Sequence, residues 1–189
     1  MVWSKLGSTT LGSAGDTITV SGFTASKFNI FLTHVLNSGS ADVTTRMDSN
    51  TGNNYCNRRS INGGTDELNT SRSNIINNGN NNDALVVQYI TNIAGEEKLT
   101  LSHASDRGTA GAGNAPNREE SIGKFTVTAG QFTSLTAFNS DSGDFDTSSN
   151  LSVLGSDGTT SMIIQDGAVY YDKTLNKEYI LSNNTWTEL

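Results

Sequence analysis

The chain has 189 residues, about the length of one domain with a small appendage, and Ser, Thr, Asn and Gly together supply 88 of them. Charged residues make up only 16% and the net charge is −7, which argues against nucleic acid as the main partner. One cysteine excludes an intrachain disulfide framework. Because no apolar run approaches about 18 residues, we expect no membrane insertion, and the first residues predict no secretory signal.

Short alternations of apolar and polar residues predict strands along most of the chain, separated by turn-forming residues and without helical periodicity. In chain order, the predicted strands cover residues 17–20, 27–36, 41–47, 55–60, 74–76, 84–93, 98–103, 121–128, 132–138 and 150–154. Residues 50–82 and 105–120 are predicted to be mostly long loops. We therefore predict an all-β protein, with an antiparallel jelly-roll sandwich over residues 1–157.

The apolar phase of these strands predicts which residues form the core. The predicted core residues are Phe28, Ile30, Leu32, Leu85, Val87, Leu99, Leu101, Phe125, Val127, Leu135, Leu151 and Val153. If a strand's phase is wrong by one residue, its whole apolar set moves to the other face of the sheet.

The character of the sequence changes after Gly158. Four short apolar segments follow, at residues 162–164, 168–171, 177–181 and 185–187, with turn signals at Asp166-Gly167 and Asn183-Asn184. We predict a small β meander over residues 158–189 that acts as an attachment or assembly module. A sheet of this size is marginal alone, so it requires a surface to pack against.

Residues able to perform catalysis or bind a metal are few. His34 and His103, the only histidines, lie in phase with apolar neighbours and lack a carboxylate or Cys56 at metal-ligand spacing. The Asp141, Asp144 and Asp146 loop lacks the acidic residue that closes a calcium loop. We therefore predict no catalytic, cofactor or metal site, and no enzymatic activity.

Two loop regions leave binding open. The small-residue segment 107–118, which holds Arg107, Asn114, Pro116 and Arg118, suits either a subunit contact or a self-packed surface loop. Tyr55 with Asn53, Asn54, Asn57 and the run 77–82 could bind sugars, or could simply form solvated turns.

Four segments, residues 9–18, 50–55, 107–118 and 142–145, resemble a family of small jelly-roll proteins from marine tailed phages and viral metagenomes, and the similarity spans about residues 2–155. Residues 166–179 followed by 183–189 resemble a short β repeat of phage fibres and accessory proteins. In that repeat, aromatic side chains of a hairpin stack over a Thr-Trp segment, and Tyr170, Tyr171, Tyr179 and Trp186 take those places here.

These resemblances imply a place in the virion without saying which, and they bring no catalytic residues. We predict a non-enzymatic virion structural protein displayed on the particle surface, as a capsid decoration or head-fibre protein. Its partners would be other capsid or tail proteins, and we expect a homo-oligomer, most simply a homotrimer. The alternative is a tail-associated adhesion module that binds host surface glycan. The interface residues expected are Arg107, Asn114, Pro116, Arg118, Tyr170, Tyr171, Tyr179 and Trp186.

Overall fold

The structure is a computed structural model that describes residues 2–157, 169–182 and 185–189, none of them helical. In chain order the strands are β1 (Ser4–Thr10), β2 (Thr17–Ser21), β3 (Phe28–Val35), β4 (Asn37–Ser38), β5 (Val43–Met47), β6 (Tyr55–Ile61), β7 (Glu67–Arg72), β8 (Ile75–Asn78), β9 (Ala84–Thr91), β10 (Lys98–Asp106), β11 (Asn117–Phe125), β12 (Ser134–Phe138), β13 (Asp144–Phe145), β14 (Asn150–Ser156), β15 (Val169–Asp172), β16 (Lys177–Ser182) and β17 (Thr185–Glu188). The all-β prediction is confirmed.

The chain divides into two compact units. One spans Trp3–Gly158, and the other comprises Met1–Val2 and Thr159–Leu189. In the first unit, an eight-stranded antiparallel sheet has the order β1-β14-β3-β9-β10-β11-β6-β7, and a four-stranded sheet has the order β2-β12-β5-β8. The predicted antiparallel sandwich is confirmed, and its jelly-roll winding stays a prediction.

The core lies on the inner faces of the two sheets. Phe31 and Val86 of the large sheet, and Ile18 and Leu135 of the small sheet, are fully buried there. The rings of Tyr55 and Phe125 stack on neighbouring strands with centroids 4.6 Å apart. Because apolar burial is the main stabilising contribution, this layer between the sheets holds the sandwich together.

The predicted core is partly wrong. Phe125, Leu135, Leu151 and Val153 are buried as predicted, and Val127 is half-buried against the core. The other seven predicted core residues belong to the opposite face of the large sheet: Leu85, Leu99 and Leu101 are exposed, and Phe28, Ile30, Leu32 and Val87 are half-buried.

The phase was misassigned because β3 and β9 carry apolar residues on both faces. The residues that point inward are Phe31 and Val35 in β3 and Val86 and Ile90 in β9. Alternation identifies two faces without saying which of them a second sheet covers.

Two edge strands, β1 and β7, lie where no strand was predicted. Residues of β7 are mostly exposed, so this strand lacks the apolar alternation that reveals a half-buried strand. The predicted loop 105–120 is also shorter than expected. It joins β10 to β11 as a hairpin whose strands include Asp106 and Asn117.

The C-terminal unit contains a three-stranded antiparallel sheet in the order β15-β16-β17, which confirms the predicted meander. Leu181 of β16 is buried, and it pairs with Trp186 of β17. The predicted strand at 162–164 and the turns Asp166-Gly167 and Asn183-Asn184 lie outside the described residues.

Candidate functional site

The outer face of the eight-stranded sheet is the most distinctive surface of the sandwich. Residues paired between neighbouring strands lie on the same face, so the strand register defines one row of side chains across all eight strands. From one edge to the other, the row is Lys5, Leu154, Ile30, Tyr89, Leu101, Ile122, Arg58 and Leu68. Six of these eight residues are apolar or aromatic. We call this surface the outer face.

Large apolar side chains on the outer face are strongly exposed. Leu68 is 64% exposed, Leu99 56%, Ile122 54% and Tyr89 47%. Together with Leu85 and Leu101, they present on the order of 500 Å² of apolar surface, near the upper end for the largest patch on a typical monomer. A patch of this size is typical of an interaction site.

A pocket of about 500 Å³ lies on this face between β6, β7, β10 and β11. Its apolar lining includes Leu68, Leu99 and Ile122, and the sole cysteine, Cys56, also borders it. Gly123 also borders the pocket, but a Cβ there would point to the inner side of the sheet, 3.0 Å from both the Cys56 carbonyl oxygen and Thr100 Oγ1. The pocket therefore suits an apolar side chain or a small apolar group.

Most charges on and beside the outer face occur in pairs of opposite sign, and the exception is Lys5 at the β1 edge, which has no ion-pair partner among the described residues. Arg58 lies 3.0 Å from Asp66, and Lys124 lies 2.7 Å from Glu97. The hydrogen bond from Lys124 to Glu97, with their charge attraction, raises the pKa of Lys124. Arg118 lies 3.9 Å from Glu120. The surface around the apolar row is thus close to neutral.

A polar cluster surrounds Asp106 at the end of β10. Asp106 is 2% exposed. Among the described residues, the donors of hydrogen bonds to its carboxylate are all side-chain or backbone amides. Those donors are Asn80 Nδ2 at 2.8 Å, Asn117 Nδ2 at 2.8 Å, Gly108 N at 2.9 Å, Asn78 Nδ2 at 3.2 Å and Asn82 Nδ2 at 3.4 Å. Asp106 therefore ties the asparagine run 77–82 to the 107–116 loop.

A second buried network stands beside it. Arg59 Nη1 lies 3.1 Å from Glu119 Oε1, and Glu119 Oε2 accepts a hydrogen bond from Gly79 N at 3.1 Å. Burial raises the pKa of Glu119, while Arg59 and the Gly79 N–H oppose that shift. The two networks hold the loops at this end of the sandwich in place, so their role is structural.

The predicted loop residues separate from one another. Arg107 makes a 2.9 Å ion pair with Asp83, and Asn114 borders a polar pocket of about 490 Å³ with Gly108 and Asn117. Pro116 is exposed, and Arg118 belongs to β11 on the side of the outer face. Of this set, only Arg118 lies on the outer face, near Leu85 and Val87.

The predicted sugar-binding residues are largely unavailable to a ligand. Tyr55 is 1% exposed, and its hydroxyl exchanges hydrogen bonds with the backbone of Met47. Asn57 is buried, and so are Asn77 and Asn78. Sugar binding by these residues is ruled out by their burial: the Asn57 amide donates to Ile76 O and Ser121 Oγ, Asn77 bonds Thr45 and Gln88, and Asn78 donates to Asp106.

The histidines lie on the outer face, where His34 and His103 are both exposed. Among the described residues, His, Cys, Asp and Glu form no group of three or more that could hold a metal ion.

A hydrogen bond with Asp16 raises the pKa of Asp144, and charge repulsion from Asp16 acts in the same direction. In the described part of the chain, no helix could span a membrane.

The tail aromatics lie on the three-stranded sheet of the second unit. Tyr170 pairs with Tyr179 across β15 and β16. Tyr171 is half exposed, with its hydroxyl bonded to the Asn176 side chain, and Trp186 is 36% exposed. Sequence reasoning did not identify the outer face as a surface. The alternating residues Leu99 and Leu101 were its signal in the sequence, but this alternation was interpreted as part of the core.

Neither a family model nor a curated protein sequence matches the chain. Among solved structures, a crystal structure of scytalido-glutamic peptidase with a peptide-based transition-state analogue is 11% identical, with 95% of this chain and 84% of that chain covered and a TM-score of 0.25. A likeness at that TM-score carries no inference about fold or activity.

Proposed function

We propose that the protein is a non-enzymatic structural subunit of a bacteriophage virion, displayed on the particle surface as a capsid decoration or head-fibre protein. The observation that carries the proposal is the apolar outer face of the eight-stranded sheet. A protein that works alone gains nothing from leaving such a face exposed to water, whereas a subunit uses it to bind its neighbours.

The composition and the networks agree with this role. Buried amide and carboxylate networks around Asp106 and Glu119 make the sandwich rigid, which suits a particle component. The phage identity itself rests on the resemblance of residues 2–155 and 166–189 to virion proteins. The predicted homotrimer and the location on the particle surface belong to the same proposal.

Counting copies per particle tests the proposal. Quantitative mass spectrometry of purified particles should find this chain in numbers tied to the capsid lattice, and particles lacking it should bind the purified protein back. Absence of the chain from purified particles would overturn the proposal.

The same count addresses the adhesion alternative. A tail-borne protein should occur in about three to twelve copies, because tail fibres and tips follow small symmetric oligomers. Binding of the purified chain to host cells, lost after removal of surface glycan, would then replace the capsid role with glycan adhesion.

A further inference from the structure

The outer face needs an occupant, and we infer that the occupant is a second copy of this chain. In this contact, the half of the face formed by β3 and β9 packs on the pocket-bearing half of the neighbouring copy. The inference deepens the proposed function and rests on it in one respect, that the outer face is an assembly surface.

The dimensions of the face suit a protein interface. Eight strands spaced about 4.8 Å apart make a sheet roughly 38 Å wide. A stable interface takes about 800 Å² from each partner. The exposed apolar side chains supply a large part of this area, and half-buried Ile30, Leu32 and Leu154 extend the apolar surface toward the β1 edge.

The charge pattern favours a copy of the same chain over a charged partner. Arg58, Lys124 and Arg118 are matched on or beside the face by Asp66, Glu97 and Glu120. A nucleic acid or an acidic protein requires a large excess of positive charge, and beyond these three matched pairs the row adds only Lys5, at the β1 edge. A neutral apolar surface is best met by another neutral apolar surface, and the chain itself supplies one.

The shape of the outer face is self-complementary, because one part of it carries a pocket and another part carries a protruding aromatic side chain. The pocket bordered by Leu68, Leu99 and Ile122 lies toward the β6–β7 edge. Tyr89, 47% exposed, stands on β9 on the other side of β10. If two copies meet near β10, Tyr89 of one lies over the pocket of the other. Large aromatic side chains seated in pockets typically dominate the binding energy.

This contact closes in more than one symmetry. Two copies can exchange the Tyr89 contact about a two-fold axis, and three copies can pass it around a three-fold axis, as the predicted homotrimer would. In each case Cys56, which borders the pocket, becomes covered by the neighbouring copy.

The test uses the full chain and three variants. Leu101→Glu places a charge in the middle of the row, and Tyr89→Ala removes the aromatic contact without adding charge. Ile93→Glu is the matched control, because Ile93 is 41% exposed but lies in the turn between β9 and β10. Native mass measurement gives the oligomeric state, and maleimide labelling of Cys56 reports whether the pocket is covered.

We expect the unaltered chain and Ile93→Glu to form oligomers in which labelling of Cys56 is slower by about tenfold or more, because labelling then requires dissociation. Leu101→Glu and Tyr89→Ala should give more monomer with rapid labelling. Thermal unfolding at low concentration confirms that each variant is folded. A chain that stays monomeric at high concentration would overturn the inference, and so would a monomer with protected Cys56, since its own residues would then cover the face.

The two proposals fail in different ways. A monomeric chain that still incorporates into particles overturns the second-copy inference and leaves the virion role standing. An oligomer that depends on Tyr89 and Leu101 but is absent from particles supports the inference and overturns the virion role.

Discussion

The two faces of strand β10, near the middle of the eight-stranded sheet, differ in the reverse of the usual sense. On β10, the inner residues Lys98, Thr100, Ser102 and Asp106 are polar and at most 5% exposed. Leu99 and Leu101, on the outer side of the same strand, are 56% and 45% exposed. An isolated antiparallel sheet with one wet side normally places its apolar residues inward.

The difference shows two ways of stabilising one sheet. Inside, part of the polar set is paired with distant segments: Gln88, Thr45 and Asn77 form a buried chain of hydrogen bonds of 2.6 to 3.0 Å. Such satisfied networks favour one arrangement of the core over others. Outside, the apolar side chains are exposed in the single chain, and they would contribute to stability mainly if a second copy buried them, as we infer above.

Removal of the Asp106 carboxylate should have the largest effect on this comparison. Asp106→Ala leaves the buried amide of Asn78 and the half-buried amides of Asn80 and Asn117 without their acceptor. We expect a loss of about 3–5 kcal/mol in the free energy of unfolding. Urea denaturation measures it, with Asp141→Ala as the exposed control. A loss below about 1 kcal/mol would mean that the cluster does not stabilise the fold.

A matched pair of leucines compares the two faces directly. Leu151 is fully buried, and Leu151→Ala should cost about 3 kcal/mol at every protein concentration. Leu101→Ala should cost about 1 kcal/mol or less in dilute solution, because the side chain is already half exposed. Its cost should grow with concentration as the outer face becomes buried. Equal, concentration-independent losses would contradict the assignment of faces.

Local sequence predicted most of the strands and could not assign the inner face. Alternation in β3, β9 and β10 is real, but both faces of β3 and β9 carry apolar residues, as at Phe31 and Ile30. The decision between faces depends on which one the small sheet covers. That information lies in long-range pairings, such as Thr45 with Gln88, which are 43 residues apart.

The site was predictable only in part. Arg118 was identified and does adjoin the outer face, whereas Asp106 carried no local signal. Its importance depends on amides from Asn78, Asn80 and Asn82, which the sequence presents as a polar run typical of a loop. Polar residues are buried only when the fold brings their partners together, and spacing along the chain does not show this.

The hydroxyl of Tyr55 tests the polar interior by pH. Burial raises the pKa of Tyr55 to about 12, above its usual value near 10. The folded chain therefore holds the phenolic proton more tightly, so stability is intact below about pH 10 and falls as the pH rises toward 12. Tyr55→Phe should remove this contribution to the slope and cost about 1–2 kcal/mol at pH 8, through lost bonds to Met47 and Asn50. Urea denaturation at pH 8 and pH 11 measures both effects; an unchanged slope in the variant would contradict the assignment.

Truncation after Asp157 should have the smallest effect on the stability of the sandwich. β14 ends at Ser156, and the Asp157 carboxylate accepts a hydrogen bond from Lys27 N. The truncated chain therefore keeps every strand of the eight-stranded and the four-stranded sheet. The removed residues contain a separate three-stranded meander with exposed Val169, Leu175 and Trp186. We expect a cooperative thermal transition within a few degrees of that of the full chain, since no core residue of the sandwich is lost. Incorporation into particles should nevertheless fall, because the meander is the predicted attachment module. Failure to fold would assign the meander to the sandwich core, whereas undiminished incorporation would place attachment on the outer face and the 107–116 loop.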